Sequence, residues 1–231
     1  MNKPERKTMI TPQTSKIISL FLLLAACLLS VDANAQATSQ TTQDISTTPA
    51  FKTNADDLFN NPASPTFGNP TGDITVVEFY DYQCSYCKAT EGSIEKLLQE
   101  DKNVKVVFKD FPKLGPHSVV LTTVTLAGMR QGADKYLKLH EALLSKQVSI
   151  SSEDDLYKMA GAVGLDVDKL KQDMKDPAID KQIQDNITVG KNIGVKLTPT
   201  FIINGYFYPG AQDYDHLKQM VDYVRSTNKK H

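Results

Sequence analysis

The sequence predicts an α/β domain interrupted by a block of helices. A β-branched strand, a helix and a second strand follow one another between residues 74 and 109. Apolar residues then keep a helical period from Pro116 to Gly194. Strand composition returns at Thr200, followed by a hairpin and a closing helix.

The elements follow in order. Lys3, Arg6, Lys7 and Lys16 precede the apolar run Ile17 to Leu29, which ends near Ala33-Asn34-Ala35, so residues 1–35 have the form of a secretory signal peptide. The run is shorter than the ~20 residues that span a bilayer, and no later segment is long enough. Leu24-Ala25-Ala26-Cys27 offers a second reading, a lipoprotein cleavage box that would leave lipid on Cys27. From Gln36 to about Asn54 the chain is Thr, Ser and Gln with almost no large apolar residue, which predicts a flexible linker. Ala55 to Asn61 fits one short helix, and the Pro and Gly residues from Pro62 to Gly72 predict an irregular lead-in, so 36–67 is read as a flexible N-terminal segment.

Ile74 to Tyr80 reads as a buried strand. Thr90, Ile94, Leu97 and Leu98 recur at helical spacing up to Glu100, and Val104 to Lys109 reads as a second strand. Strand, helix and strand make a parallel unit. Between Pro116 and Gly194, breaks at Gly132, Ser149 to Ser152, Gly164 and Asp176-Pro177 divide the chain into four or five helices. Thr200 to Ile203 and Tyr206 to Tyr208 flank the turn Asn204-Gly205, and a helix runs from about Tyr214 to Arg225.

The chain of 231 residues is 40% hydrophobic, enough for a core. Removing the leader takes four basic residues from 26 and two acidic ones from 27, leaving 22 against 25 and a net charge of −3. A mildly acidic chain without a basic cluster excludes nucleic acid as a partner class. Cleavage after Ala35 would leave two cysteines, Cys84 and Cys87, three positions apart. Such a short loop adds little stability, so the pair reads as reactive.

A C-x-x-C pair between a buried strand and a helix has a mechanism. The helix N-terminus presents unpaired N–H groups that favour a thiolate, so Cys84 should be the low-pKa nucleophile and Cys87 the resolving thiol. The competing reading is half of a zinc knuckle, but His117, His140, His216 and His231 lack ligand spacing, and no metal site is assigned. Two thiolates would still suit Cu(I).

Val77-Glu78-Phe79-Tyr80-Asp81-Tyr82-Gln83-Cys84-Ser85-Tyr86-Cys87-Lys88, Phe111-Pro112-Lys113-Leu114-Gly115 and Leu197-Thr198-Pro199-Thr200-Phe201 together resemble the DsbA-like branch of the thioredoxin superfamily. The resemblance covers roughly Gly68 to Arg225. It implies a thioredoxin fold (68–115 and 195–231) with an inserted helical domain (116–194). It also implies a protein thiol-disulfide oxidoreductase without a cofactor, working in the bacterial periplasm on unfolded or misoxidised exported proteins and recycled by a membrane redox partner. By the same resemblance Pro199 is cis beside the sulfurs, Thr198, Ser85 and Tyr86 meet the substrate, and Glu78 assists proton movement at the resolving thiol. Lys109 is a candidate for the charge partner of Glu78.

Burial of Glu78 among Val76, Val77 and Phe79 would raise its pKa and suit that role. His117, Tyr136, Tyr157 and Tyr223 read as structural groups on helix faces. Ser85-Tyr86 stands where potent oxidases of the family carry Pro-His, and Thr198 resembles isomerases and the ScsC-like group. Isomerase or reductase activity is therefore the alternative direction, and a copper carrier or chaperone the alternative class.

Overall fold

The computed structural model describes residues 43–44, 55–148 and 150–228, all within one unit, Thr41–His231. The leader, Cys27, most of the linker and His231 lie outside the described residues.

Two central strands carry the architecture. β3 (Ile74–Tyr80) and β4 (Val104–Asp110) pair in parallel, from Ile74 opposite Val104 to Tyr80 opposite Asp110. All but one residue of each strand is buried, because helices cover both faces, as continuous apolar runs require. The helix that carries the chain between them is α2 (Ser85–Glu100), which turns Ile94 and Leu97 inward.

On the other side of β3 lies antiparallel β5 (Thr200–Ile203), joined to β6 (Tyr206–Pro209) through Asn204 and Gly205, both at positive φ (45° and 102°). That pair of left-handed residues makes the tight hairpin that the Asn-Gly dipeptide predicts. α8 (Tyr214–Asn228) then packs Leu217, Val221 and Val224 against the core.

Two short strands complete a sheet of order β1-β6-β5-β3-β4-β2 among the described residues. β2 (Thr66–Gly68) pairs antiparallel with β4, inside the stretch expected to be irregular. Three residues are too short for a sequence pattern, and the open edge of β4 recruits them. β1 (Gln43–Asp44) pairs likewise with the edge of β6, within the expected linker, and α1 (Ala55–Phe59) buries Leu58.

Five helices stand between β4 and β5: α3 (Pro116–Met129), α4 (Ala133–Leu144), α5 (Glu153–Ala162), α6 (Val167–Asp173) and α7 (Pro177–Asn192). Side chains of Ser152, Asp166 and Asp176 accept backbone N–H groups at the starts of α5, α6 and α7, which explains where these helices begin. α3 buries Leu121, Val124, Leu126 and Ala127 and is the centre of this block.

The sheet separates two apolar clusters. Ile74, Val76, Tyr80, Val106 and Phe108 face α2 to α4 and α8, whereas Val77, Phe79, Val107 and Phe111 face Leu58 of α1 and Val189 of α7. Gly190 permits the second contact, since a Cβ there would lie 2.6 Å from the Phe111 ring and 3.0 Å from that of Phe79. Of the four side chains read as structural, Tyr136 is buried and Tyr157 half-buried beneath Lys171. His117 and Tyr223 are exposed, because helical period alone does not say which face of a helix is covered.

Candidate active site

The site begins where β3 ends. Cys84 N–H donates to Asp81 O (2.9 Å), closing a turn that brings Cys84 to the N-cap of α2. The buried Asp81 carboxylate accepts Gln83 N–H (2.8 Å) through Oδ1, and Lys113 and Leu114 N–H (2.8 and 3.0 Å) through Oδ2. It thus fastens the loop after β4 to the cysteine loop. Sequence reading assigned Asp81 no role, although an Asp three residues before a helix-opening Cys is a turn signal.

Cys84 has 7% of its surface exposed, and its thiol donates to the backbone oxygen of Thr198 (3.2 Å). Its pKa is lowered to about 5, chiefly by a hydrogen bond from the Cys87 thiol. Burial opposes this, and the Thr198 side chain with the backbone N–H groups of Cys87 and Tyr86 adds to it. Those N–H groups belong to the first turn of α2 and have no helical partner of their own. Cys87, one turn inward, is pushed far above the ordinary thiol value by burial, with the Cys84 hydrogen bond and the charge of Glu78 acting the same way. Both thiols are free.

Glu78 is buried on the face of β3 toward the cysteines. Burial first, then the charges of Glu91 and Cys84, raises its pKa well above the usual carboxyl range, and its Oε2 lacks a hydrogen-bond partner. Lys109 does not pair with it. In register Glu78 lies opposite Phe108 and Phe79 opposite Lys109, so strand alternation sends Lys109 to the other face. There its Nζ donates to Asp57 O (2.5 Å) and Ser64 Oγ (2.7 Å). The carboxyl that does accompany Glu78 is Glu91, a residue that sequence reading missed. It stands four residues after Cys87 on α2 and is buried, a helical spacing that would have flagged it.

The Thr198–Pro199 peptide bond is cis, and Pro199 is buried. Gln83, Cys84, Ser85, Tyr86, Lys113, Leu114, Leu197 and Thr198 line an open hollow of about 330 Å³ at the Cys84 sulfur's end of α2. Tyr86 (67% exposed), Leu114 (53%) and Leu197 (44%) give it an apolar rim on a surface where large apolar groups need a reason. The geometry therefore unites Cys84, Cys87, Ser85, Tyr86, Thr198, Pro199 and Glu78, and adds Asp81, Glu91 and the Lys113–Leu114 loop. Among the described residues no group of three or more His, Cys, Asp or Glu is placed to hold a metal.

The profile of a DSBA-like thioredoxin domain matches residues 75–222. Among solved structures, a thioredoxin-like oxidoreductase from Silicibacter pomeroyi is 35% identical with a TM-score of 0.69, covering 74% of this chain and 97% of that one. The thiol-disulfide exchange protein alpha-DsbA2 from Wolbachia pipientis is 30% identical (TM-score 0.69, covering 76% and 94%). The catalytic domain of Proteus mirabilis ScsC is 26% identical (TM-score 0.69, covering 77% and 97%). Among curated proteins, the match to Na(+)/H(+) antiporter NhaA 3 of Salinispora tropica is 27% identical and takes in 64% of this chain but only 22% of that protein's length. Disulfide bond formation protein D of Bacillus subtilis is 25% identical over 68% of this chain and 75% of its own length.

Proposed function

The chain belongs to the DSBA-like thioredoxin-domain family, and on that premise we propose that it is an exported thiol-disulfide oxidoreductase that exchanges disulfides with folding proteins through Cys84 and Cys87. The observation that carries this reading is the asymmetry of the two sulfurs. One is held at about 5 at a helix N-terminus and opens to an apolar-rimmed hollow, and the other is held protonated beneath it.

In the oxidising direction a client thiolate attacks Cys84 of the disulfide. The Cys84–Cys87 bond breaks, and Cys87 leaves with the electron pair and takes up a proton. A second client thiolate then attacks the client sulfur of the mixed disulfide, and Cys84 leaves as a thiolate. The client has lost two electrons and the protein has gained two, which a membrane redox partner removes. Glu78, whose carboxyl burial pushes well above the usual range, is the donor for Cys87, and the Thr198 backbone beside Cys84 offers an extended client segment a hydrogen-bonding edge.

Tyr86 in place of a histidine, together with Thr198 before the proline, favours isomerase or reductase activity as a second reading within the same chemistry. A copper carrier or chaperone on the same groove is the competing class. It predicts stoichiometric Cu(I) or client binding without turnover.

The test is trapping. Cys87→Ser should accumulate mixed disulfides with disulfide-containing, unfolded client protein, since the Cys84 thiolate attacks a client disulfide and a client thiolate leaves, and Cys84→Ser should accumulate none. Equal trapping by both variants would overturn the assignment.

A further inference from the structure

The chemistry above leaves one buried polar cluster without a role. His140 of α4 is wholly buried, with ring centroids of Phe108, Tyr80, Tyr82 and Tyr136 at 4.3, 4.9, 5.5 and 5.6 Å. Its Nδ1 lies 2.9 Å from the Tyr82 hydroxyl. Its Nε2 lies 3.5 Å from Glu91 Oε2, and neither of these two atoms has a hydrogen-bond partner. Buried core histidines normally satisfy both nitrogens. Here one nitrogen is left over and faces a carboxylate oxygen that is also left over.

The surrounding hydroxyls accommodate the tautomer with its proton on Nε2. Tyr80 donates its single proton to Asp110 Oδ1 (2.5 Å), and the hydroxyls of Tyr82 and Tyr136 lie 3.1 and 3.2 Å from that of Tyr80. With Tyr136 supplying Tyr80, the Tyr82 proton is free for Nδ1, and in that arrangement the imidazole proton sits on Nε2, toward Glu91. Glu91 is the junction. It lies one turn beyond Cys87, its side chain is 11% exposed, and its charge acts on Glu78.

We propose that His140 is a positioning residue for dithiol exchange, contributed by the inserted helices, whose Nε2–H holds Glu91 where it passes protons between solvent and the Glu78–Cys87 pair. The inference rests on Cys87 being the resolving thiol. When the disulfide opens, Cys87 takes one proton from Glu78, and the Glu91 carboxylate takes one from solvent and hands it to Glu78, ending charged as it began. The reverse reaction returns the proton along the same groups, and His140 exchanges none overall. The titratable groups facing His140 are Glu91 from α2, Tyr80 from β3, Tyr82 from the cysteine loop, Asp110 from β4, and Tyr136 and Glu141 from its own helix.

The test compares wild type, His140→Phe, His140→Gln, Glu91→Gln and Glu91→Gln/His140→Phe in the full chain. Each reduced protein is oxidised by glutathione disulfide in single turnovers across pH, and the Cys84 thiolate absorbance is titrated separately. His140→Phe should slow resolution by Cys87 about tenfold, a fraction of the ~10²–10⁴-fold that general acid–base assistance supplies, and displace its pH profile while leaving the Cys84 titration in place. His140→Gln, which keeps an N–H donor, should recover most of the loss, and the double variant should be no slower than Glu91→Gln. A parental rate and profile in His140→Phe or Glu91→Gln would overturn the proposal, as would a full additional loss in the double variant. Glu91→Gln keeps the test decisive if His140→Phe does not fold. Wild type that fails to exchange with glutathione disulfide would instead overturn the dithiol reading on which the inference stands.

Discussion

Replacing Cys84 by alanine in the reduced protein should remove a pH-dependent part of its stability. The folded thiol titrates near about 5, against ~8.5 for a free cysteine. A group whose folded pKa is depressed contributes stability that is complete above the unfolded value and is lost as pH falls through the folded one. The window is therefore about 5 to ~8.5, with a slope of ~1.4 kcal/mol per pH unit, so the two units from pH 5 to pH 7 carry about 3 kcal/mol. Cavity and packing losses in Cys84→Ala are constant with pH and drop out of the comparison.

The assay is urea unfolding of both proteins under reductant at several pH values. With ~1–3 kcal/mol per molar urea, the gap between midpoints should widen by on the order of 1 M between pH 5 and pH 7. Cys87→Ala removes the largest influence on Cys84 and should flatten the parental slope. A midpoint gap that stays the same at every pH would refute the argument, because a thiol with an ordinary pKa gives no slope in that window. The same stabilised thiolate favours the dithiol over the disulfide at pH 7 by roughly 60 mV, at ~30 mV per ~1.4 kcal/mol.

Other side chains give separate tests. Glu78 has a raised folded pKa, so its contribution is full below ~4.3 and is lost as pH rises; Glu78→Gln should be increasingly more stable than the parent above that pH, yet slower in single-turnover exchange. Equal exchange rates would remove Glu78 from the proton path. Asp81→Asn has one acceptor oxygen where Asp81 uses two, so it leaves the N–H of Gln83 or those of Lys113 and Leu114 against an NH2 donor, and should cost about 1–3 kcal/mol in urea unfolding and reduce exchange with protein more than with glutathione disulfide. Gly190→Ala forces a methyl against Phe111 and should lower stability by about 1–3 kcal/mol while leaving the Cys84 thiolate titration unchanged.

The elements legible in the sequence are those with a long, uniform environment. β3 and β4 are buried on both faces and read as unbroken apolar runs, and the five helices are punctuated by Gly132, Gly164 and Asp176-Pro177. β2 and β1 were not legible, because they are two or three residues long and exist through the edges they join. Cys84, Cys87 and Thr198-Pro199 carry their chemistry in local spacing. Lys109 misled because facing depends on strand register, and register is a relation between strands. His140 was hidden for a similar reason: it is one polar residue in a helical pattern, and only packing of α4 on α2 sets its Nε2 against Glu91 Oε2, whereas Glu91 carried a signal in its spacing from Cys87. His117, exposed on α3, is the same residue type in a similar pattern with no such neighbour.

The central claim is that Cys84 and Cys87 form a catalytic dithiol pair for protein substrates. Its most direct measurement is the oxidation of a reduced, unfolded protein by substoichiometric amounts of this chain, with excess glutathione disulfide as the terminal oxidant and the uncatalysed rate subtracted. The account predicts many turnovers per molecule for the wild type and none for Cys84→Ser. Oxidation that stops at one equivalent, or that continues unchanged in Cys84→Ser, would contradict it.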